Sequence, residues 1–249
     1  MNQVFSITFD IDWAPDWCVA MCANMCREAG VPATFFVTHS MDILDDLAAD
    51  PLFELGIHPN FLPGSSHGNN TQAVLDACMT MVPSACSMRT HGLVQSSQLF
   101  SLIADKYPEI QNDASLLLTF SEGVNPTELY IGSPPRRIVR IPYVWEDDLV
   151  WNWPQWRWTP WVPKKSGAYV YNFHPIHVAI NSADIGNYAI LKEKMGDRAV
   201  FLAEEKDCQS LSNPGEGTAT FLAGLLKSLS STQTRTIDDI AESFRQGKK

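Results

Sequence analysis

Two aspartates, several histidines and an arginine lie where the sequence predicts strand ends. Asp10 and Asp12 close the β-rich run at 4–9. The other titratable residues at predicted strand ends are His58, Arg89, His91, His174 and His177. The carboxyl ends of strands share one face in parallel α/β folds, so we expect these side chains to form one site.

The two aspartates have the spacing of a cation site with a neighbouring base. Residues two apart in a strand point to the same side, so both carboxylates would face one cavity. Two carboxylates at such a short distance repel each other unless a cation lies between them. A divalent metal on one of them would free the other to act as a base. The alternative is a turn or a helix N-cap, where aspartate is common.

Histidines can complete such a site. A carboxylate with two imidazoles forms an open three-ligand site that suits Zn²⁺, with Co, Ni, Mn or Fe as alternatives. His58 and His67 are the candidate imidazoles, and their nine-residue separation requires the loop between them to fold back. His67 lies in a Gly/Ser-rich segment, so it could equally be a solvated loop residue.

Two further residues have the chemistry to assist the reaction. His174 follows an apolar strand, and histidine is the natural proton donor near neutral pH. The alternative is a core histidine with satisfied hydrogen bonds. Arg89 can hold a carboxylate in a bidentate fork and keep it ionised.

The elements that must position these residues alternate along the chain. Strands are predicted at 4–9, 34–38, 53–58, 85–89, 138–143 and 168–173, and helices at 14–28, 41–49, 71–81, 96–106, 217–230 and 237–246. Such alternation indicates parallel βαβ units, and therefore an α/β barrel or a doubly wound sheet. With no repeat or linker, residues 1–249 are expected to form a single domain.

Composition excludes several classes of function. The 249 residues carry a formal net charge of −10, which argues against a nucleic-acid binder. No apolar run is long enough to span a membrane, and no secretory signal precedes the first strand, so we expect a cytoplasmic protein with reduced cysteines. Cys18, Cys22 and Cys26 form one helical stripe, which favours core packing over a cluster site.

Tryptophans concentrate in one segment. Six of the eight lie between residues 145 and 161, where prolines indicate an irregular excursion. Flat aromatic faces suit stacking on sugars, although most of these rings could simply fasten the loop to the core. Trp145, with Tyr143 beside it, is the first candidate for a substrate contact.

Four short motifs together resemble the polysaccharide deacetylase (NodB-like) superfamily, in the branch associated with O-antigen and surface-polysaccharide gene clusters. The matching segments are Thr-Phe-Asp-Ile-Asp at 8–12, Glu-Leu-Gly-Ile-His at 54–58, Arg-Thr-His-Gly at 89–92 and Asn-Phe-His-Pro at 172–175. By this resemblance Asp10 is the general base, Asp12 and His58 bind the metal, Arg89 steadies the base, and His174 is the general acid.

The sequence departs from the family pattern at two positions. The second histidine of the family usually follows the first by four residues, but position 62 is leucine here, so the ligand role passes to His67. The proline of the third motif is His91, a candidate metal ligand or substrate contact. His177 is a further candidate substrate contact.

The resemblance implies an irregular (β/α) barrel and a metal-dependent hydrolase. Its reaction would remove an acetyl group from an N-acetylated sugar in surface-polysaccharide synthesis, the substrate being a sugar or its nucleotide- or lipid-linked precursor. Two alternatives stay open: hydrolysis of another C–N bond, in a cyclic amide or formamide, and a non-catalytic carbohydrate-binding module.

Overall fold

A computed structural model describes residues 3–196, 199–229 and 233–247. Within these ranges the chain forms nine strands and ten α-helices. The strands are β1 Val4–Asp10, β2 Ala33–Val37, β3 Phe53–Ile57, β4 Ser87–Met88, β5 Asn112–Asp113, β6 Thr127–Ile131, β7 Arg136–Arg140, β8 Trp145–Glu146 and β9 Ala168–Phe173. The helices are α1 Asp16–Ala29, α2 Leu44–Ala49, α3 Thr71–Met81, α4 Ser97–Lys106, α5 Asp147–Val150, α6 Pro175–Ala179, α7 Gly186–Met195, α8 Glu205–Gln209, α9 Thr218–Ser228 and α10 Ile237–Gln246.

The strands form one curled sheet in the order β6-β7-β5-β4-β3-β2-β1-β9-β8. Every neighbouring pair is parallel except β6 and β7, which form an antiparallel pair at one edge. The irregular α/β barrel expected from the sequence is confirmed. Because β1, β2 and β9 are parallel, their carboxyl ends all lie at the same edge of the sheet.

Strands β1, β2 and β9 are mostly apolar because both faces of the sheet are covered there. All of β2 and β9 is buried, and β1 is buried after its first residue, as expected for parallel strands covered by helices. Helix α1 covers this sheet with its cysteine stripe: Cys18, Cys22 and Cys26 are fully buried and free. Burial raises the pKa of the Cys26 thiol to about 12, so it behaves as an apolar group. The predicted core role of the stripe is confirmed.

Most predicted elements are present with shifted ends. The helices at 71–81 and 237–246 and the strand at 168–173 match the structure, whereas the strand predicted at 138–143 is Arg136–Arg140. The helix predicted at 217–230 is Thr218–Ser228, and residue 230 lies outside the described residues. Among the described helices, none combines the length and apolarity needed to cross a bilayer.

Candidate active site

The carboxyl edge of the sheet brings the predicted residues together. Asp10 is the last residue of β1, while His58, Arg89 and His174 directly follow β3, β4 and β9. All four are buried. The structure therefore brings these four side chains together around Asp10, and their shared function stays a prediction.

Three side chains form a compact triangle of potential ligand atoms. Asp12 Oδ1 lies 3.1 Å from His58 Nε2 and 3.1 Å from His91 Nδ1, and the two nitrogens are 3.3 Å apart. Asp12 has a positive φ of 45°, in the turn that follows β1. Burial would raise the pKa of Asp12, but the hydrogen bonds from His58 and His91 together with the charges of His58 and His174 hold this pKa well below its usual value.

The triangle fits a divalent cation. Ligand atoms at ~2.0–2.1 Å from a tetrahedral ion lie about 3.3 Å from each other, close to the three distances observed. The donor set of one carboxylate and two imidazoles is typical of an open zinc site. On its other side, His58 Nδ1 faces Asp10 Oδ1 at 3.7 Å, so the carboxylate lies directly beside the cluster.

His91, and not His67, completes this triangle, which corrects the expectation for His67. In the structure His67 Nδ1 accepts a hydrogen bond from the backbone N–H of Asn60 at 3.1 Å, and Nε2 lies 2.5 Å from the carbonyl oxygen of Thr38. Both ring nitrogens are therefore occupied: Nδ1 by a bond within the 59–70 loop, and Nε2 by a contact that joins the loop to the residue after β2. His91 reaches the site through a 3₁₀ turn in which Gly92 has a φ of 60°.

Asp10 is held by two neighbouring side chains. Arg89 Nη1 donates to Asp10 Oδ1 at 3.0 Å, and Asn172 Nδ2 donates to Oδ2 at 2.9 Å. The guanidinium carbon of Arg89 lies 4.5 Å from the ring centroids of both Phe36 and Tyr143. Arg89 thus contacts the carboxylate as predicted, but through one nitrogen and not through the bidentate fork.

His174 has a partner that the sequence did not reveal. Its Nδ1 lies 2.6 Å from Asp147 Oδ1, its backbone N–H donates to Asp147 Oδ2 at 2.9 Å, and its Nε2 lies 3.6 Å from Asp12 Oδ2. Burial would lower the pKa of His174, but the charges of Asp147 and Asp148 outweigh it and raise this pKa well above its usual value. The Asp147 contact thus orients the His174 ring so that its Nε2 points at the cluster.

Two adjoining cavities meet at Asp12, Asp148 and His174. The first, of about 420 Å³, also contains Tyr143 and His91 in its wall. Glu146 lies in the same wall, and burial together with the charge of Asp148 raises the pKa of Glu146 to about 8.

The second cavity, of about 460 Å³, includes His177 in its wall. Tyr143, His91 and His177 thus all line space next to the cluster, and their role as substrate contacts stays a prediction.

Trp145 does not line either cavity, which corrects its assignment as a substrate contact. It is 0 % exposed and stacks on Phe221, with ring centroids 4.3 Å apart. Neighbouring residues of a strand point to opposite faces, so Glu146 faces the cavity while Trp145 faces the core. Trp151 is the tryptophan of the 145–161 segment that lies in a cavity wall.

Comparison with known proteins identifies the family of the chain. The model of the WbmS-like polysaccharide deacetylase family matches residues 7–192. A crystal structure from Bordetella bronchiseptica, of a protein assigned as a polysaccharide deacetylase involved in O-antigen biosynthesis, is 31% identical, superposes with a TM-score of 0.78 and covers 90% of each chain.

More distant structures and the curated sequences add little. Two structures of the peptidoglycan deacetylase PdaC from Bacillus subtilis, one of them a point mutant, are 12% identical and superpose with TM-scores of 0.47 and 0.48, covering 99% of this chain and 94% of theirs. No curated protein sequence matches the chain significantly. The family match and the similarity to the Bordetella structure show that this chain belongs to the WbmS-like polysaccharide deacetylase family.

Proposed function

We propose that this protein is a divalent-cation-dependent hydrolase that removes the acetyl group from an N-acetylated sugar during synthesis of a surface polysaccharide such as O-antigen. The observation that carries the proposal is the convergence of the Asp12–His58–His91 triangle, Asp10 and His174 on one cavity. The family membership and the Bordetella relative support the choice of an acetylated sugar.

Asp12, His58 and His91 would hold the cation. Zn²⁺ suits this donor set best, and Co, Ni, Mn or Fe can bind similar ligands. When bound, such a cation supplies a Lewis acid that polarises the acetamide carbonyl. The deep burial of His58 and the turn at Asp12 fix the ligand atoms before the ion arrives, which lowers the entropic cost of binding.

Asp10 would act as the general base. One of its oxygens lies 3.7 Å from His58 Nδ1, and Arg89 and Asn172 fix the orientation of the carboxylate. A carboxylate held in this way can take a proton from the water that attacks the carbonyl carbon. The Arg89 guanidinium also compensates the buried negative charge of Asp10, so Arg89 is a positioning residue.

His174 would supply the proton that the leaving group needs. The C–N bond breaks only if the nitrogen departs as a neutral amine, since an amide anion is a very poor leaving group. A carboxylate oxygen of Asp10 and a ring nitrogen of His174 lie within 4.8 Å of each other, so the base and the acid face the same small volume. The products are acetate and the free amino sugar.

Acetate release tests the proposal. Protein stripped of metal and then loaded with Zn²⁺ is incubated with N-acetylhexosamines in free, nucleotide-linked and lipid-linked form, and with cyclic amides and formamides. We expect metal-dependent release of acetate from a sugar, and Asp10→Asn should abolish turnover while still binding Zn²⁺. Turnover by that variant, or turnover of the cyclic amides or formamides alone, would reject the proposal.

We further propose that the reaction takes place in the cytoplasm on a nucleotide- or lipid-linked precursor. Fractionation of cells that express the protein with a small epitope tag measures its location. Recovery of the tagged protein outside the cytoplasmic fraction would contradict this part of the proposal.

A further inference from the structure

The second cavity differs in chemistry from the first. Asp12 and Asp148 line both cavities, and the second adds the aromatic rings of Trp151 and Tyr188 and the side chain of Lys192. The first cavity is lined by four carboxylates, and among the described residues of its wall there is no lysine or arginine. The two cavities meet at Asp148 and His174, so a substrate that fills the first can extend into the second.

Three rings form a rigid surface in the second cavity. The ring of His177 lies edge-on to Trp151, with centroids 4.9 Å apart, and edge-on to Tyr188 at 4.7 Å. His177 Nδ1 is hydrogen-bonded to Ser182 Oγ at 3.0 Å, which fixes the ring. Burial, together with the charges of His174 and Lys192, lowers the pKa of His177 to about 3, so this ring is neutral. The flat faces of Trp151 and Tyr188 suit contact with a sugar ring.

Lys192 adds an ammonium group to the wall of this cavity. Its Nζ lies 4.6 Å from the centroid of the Tyr188 ring, a cation–π contact that keeps the ammonium beside a ring of the cavity wall, although the residue is exposed. In the part of the chain that the structure describes, Lys192 is the only lysine or arginine in this wall, and it makes no ion pair with a carboxylate. By contrast, Lys194 on the same helix is paired with Asp207 at 3.3 Å.

A lysine that faces a substrate cavity without a carboxylate partner suits an anionic ligand. This is notable in a chain with a net charge of −10. We propose that Lys192 binds an anionic group of the substrate, a carboxylate or a phosphate, while Trp151 and Tyr188 contact the sugar that carries it. The inference rests on the proposed function and narrows its substrate class to an N-acetylated sugar with an acidic substituent.

Three matched substrates test the inference with the zinc-loaded protein. They are a neutral N-acetylhexosamine methyl glycoside, the corresponding uronic acid and the corresponding 1-phosphate. Lys192→Met keeps a side chain of similar length and removes the charge. We expect this variant to raise the KM for an anionic substrate about tenfold, and to leave kcat and the KM for the neutral glycoside unchanged. The substrate that shows the effect distinguishes carboxylate from phosphate.

Lys227→Met is the matched control, because Lys227 is an exposed lysine of α9 that lines neither cavity. It should leave all three KM values unchanged. If Lys192→Met changes the three KM values equally or not at all, the inference is overturned.

A second readout separates this inference from the proposed function. Calorimetry with Asp10→Asn, alone and combined with Lys192→Met, measures binding of the same three sugars without turnover. About tenfold weaker binding of one anionic sugar, with the neutral one unchanged, would support the role of Lys192. Equal binding in both variants would overturn it, whether or not the wild-type protein releases acetate.

Discussion

The buried pair of Arg89 and Asp10 gives the sharpest quantitative prediction. Arg89 is fully buried between Phe36 and Tyr143, its Nε donates to the carbonyl oxygen of Ala114 at 3.1 Å, and its Nη1 donates to Asp10 at 3.0 Å. Arg89→Met keeps an unbranched side chain between the two rings but leaves the Asp10 carboxylate without its counter-charge. Breaking such a buried pair costs ~3–5 kcal/mol, so we expect the free energy of unfolding to fall by that amount.

A double-mutant cycle isolates the interaction. Asp10→Asn removes the other charge, and the variant that carries both substitutions buries neither charge. Its loss of unfolding free energy should therefore be smaller than the sum of the two single losses by about 2 kcal/mol. Urea denaturation followed by circular dichroism measures all four proteins, and acetate release is measured in parallel.

Arg140 provides a matched control outside the site. It pairs with buried Asp113 at 2.7 Å and lies over the Phe100 ring. Arg140→Met should lower stability but leave the acetate release of the folded protein intact, whereas Arg89→Met should abolish it. Strictly additive losses in the Arg89–Asp10 cycle, or full activity of Arg89→Met, would refute the reasoning.

Three further predictions concern neighbouring residues. His91→Ala should weaken Zn²⁺ binding about 100-fold or more in calorimetry. His67→Ala should change the Zn²⁺ affinity by no more than a few-fold and lower the melting temperature instead. The reverse pattern would identify His67 as the ligand. Asp147→Asn should lower kcat about 100-fold or more with Zn²⁺ affinity unchanged, because His174 loses the group that orients and charges it; an unchanged kcat would argue against His174 as the acid. Trp145→Ala should cost ~3–5 kcal/mol of stability with KM unchanged, and a raised KM in the folded variant would return Trp145 to the site.

Much of the site could be predicted because strand ends are local features. Alternating strands and helices imply parallel strands, and parallel strands place their carboxyl ends on one edge. That rule alone brought Asp10, His58, Arg89 and His174 together. The cysteine stripe of α1 was equally readable, since an interval of four residues keeps side chains on one face of a helix.

The choice between His67 and His91 depended on information that is not local. His91 reaches Asp12 because Gly92 adopts a left-handed conformation and the His91 N–H donates to the Pro59 carbonyl oxygen at 3.0 Å. Neither the Gly92 conformation nor this hydrogen bond can be predicted from the spacing of the histidines. The one available signal was the histidine found where the related motif has proline.

Asp147 and Trp145 show why short strands are difficult to interpret from sequence. Strand β8 has two residues, too few for an alternation pattern to be recognised. Once its position is known, alternation places Trp145 in the core and Glu146 in the cavity. Asp147 then follows as the first residue of α5, where its carboxylate meets His174.

The position of the bound cation tests the central claim most directly. Crystals grown with Zn²⁺ and measured at the zinc absorption edge should show one strong anomalous peak ~2.0–2.2 Å from Asp12 Oδ1, His58 Nε2 and His91 Nδ1. A peak at the neighbouring cluster of Asp147, Asp148 and His174, or no peak beside Asp12, would contradict the account.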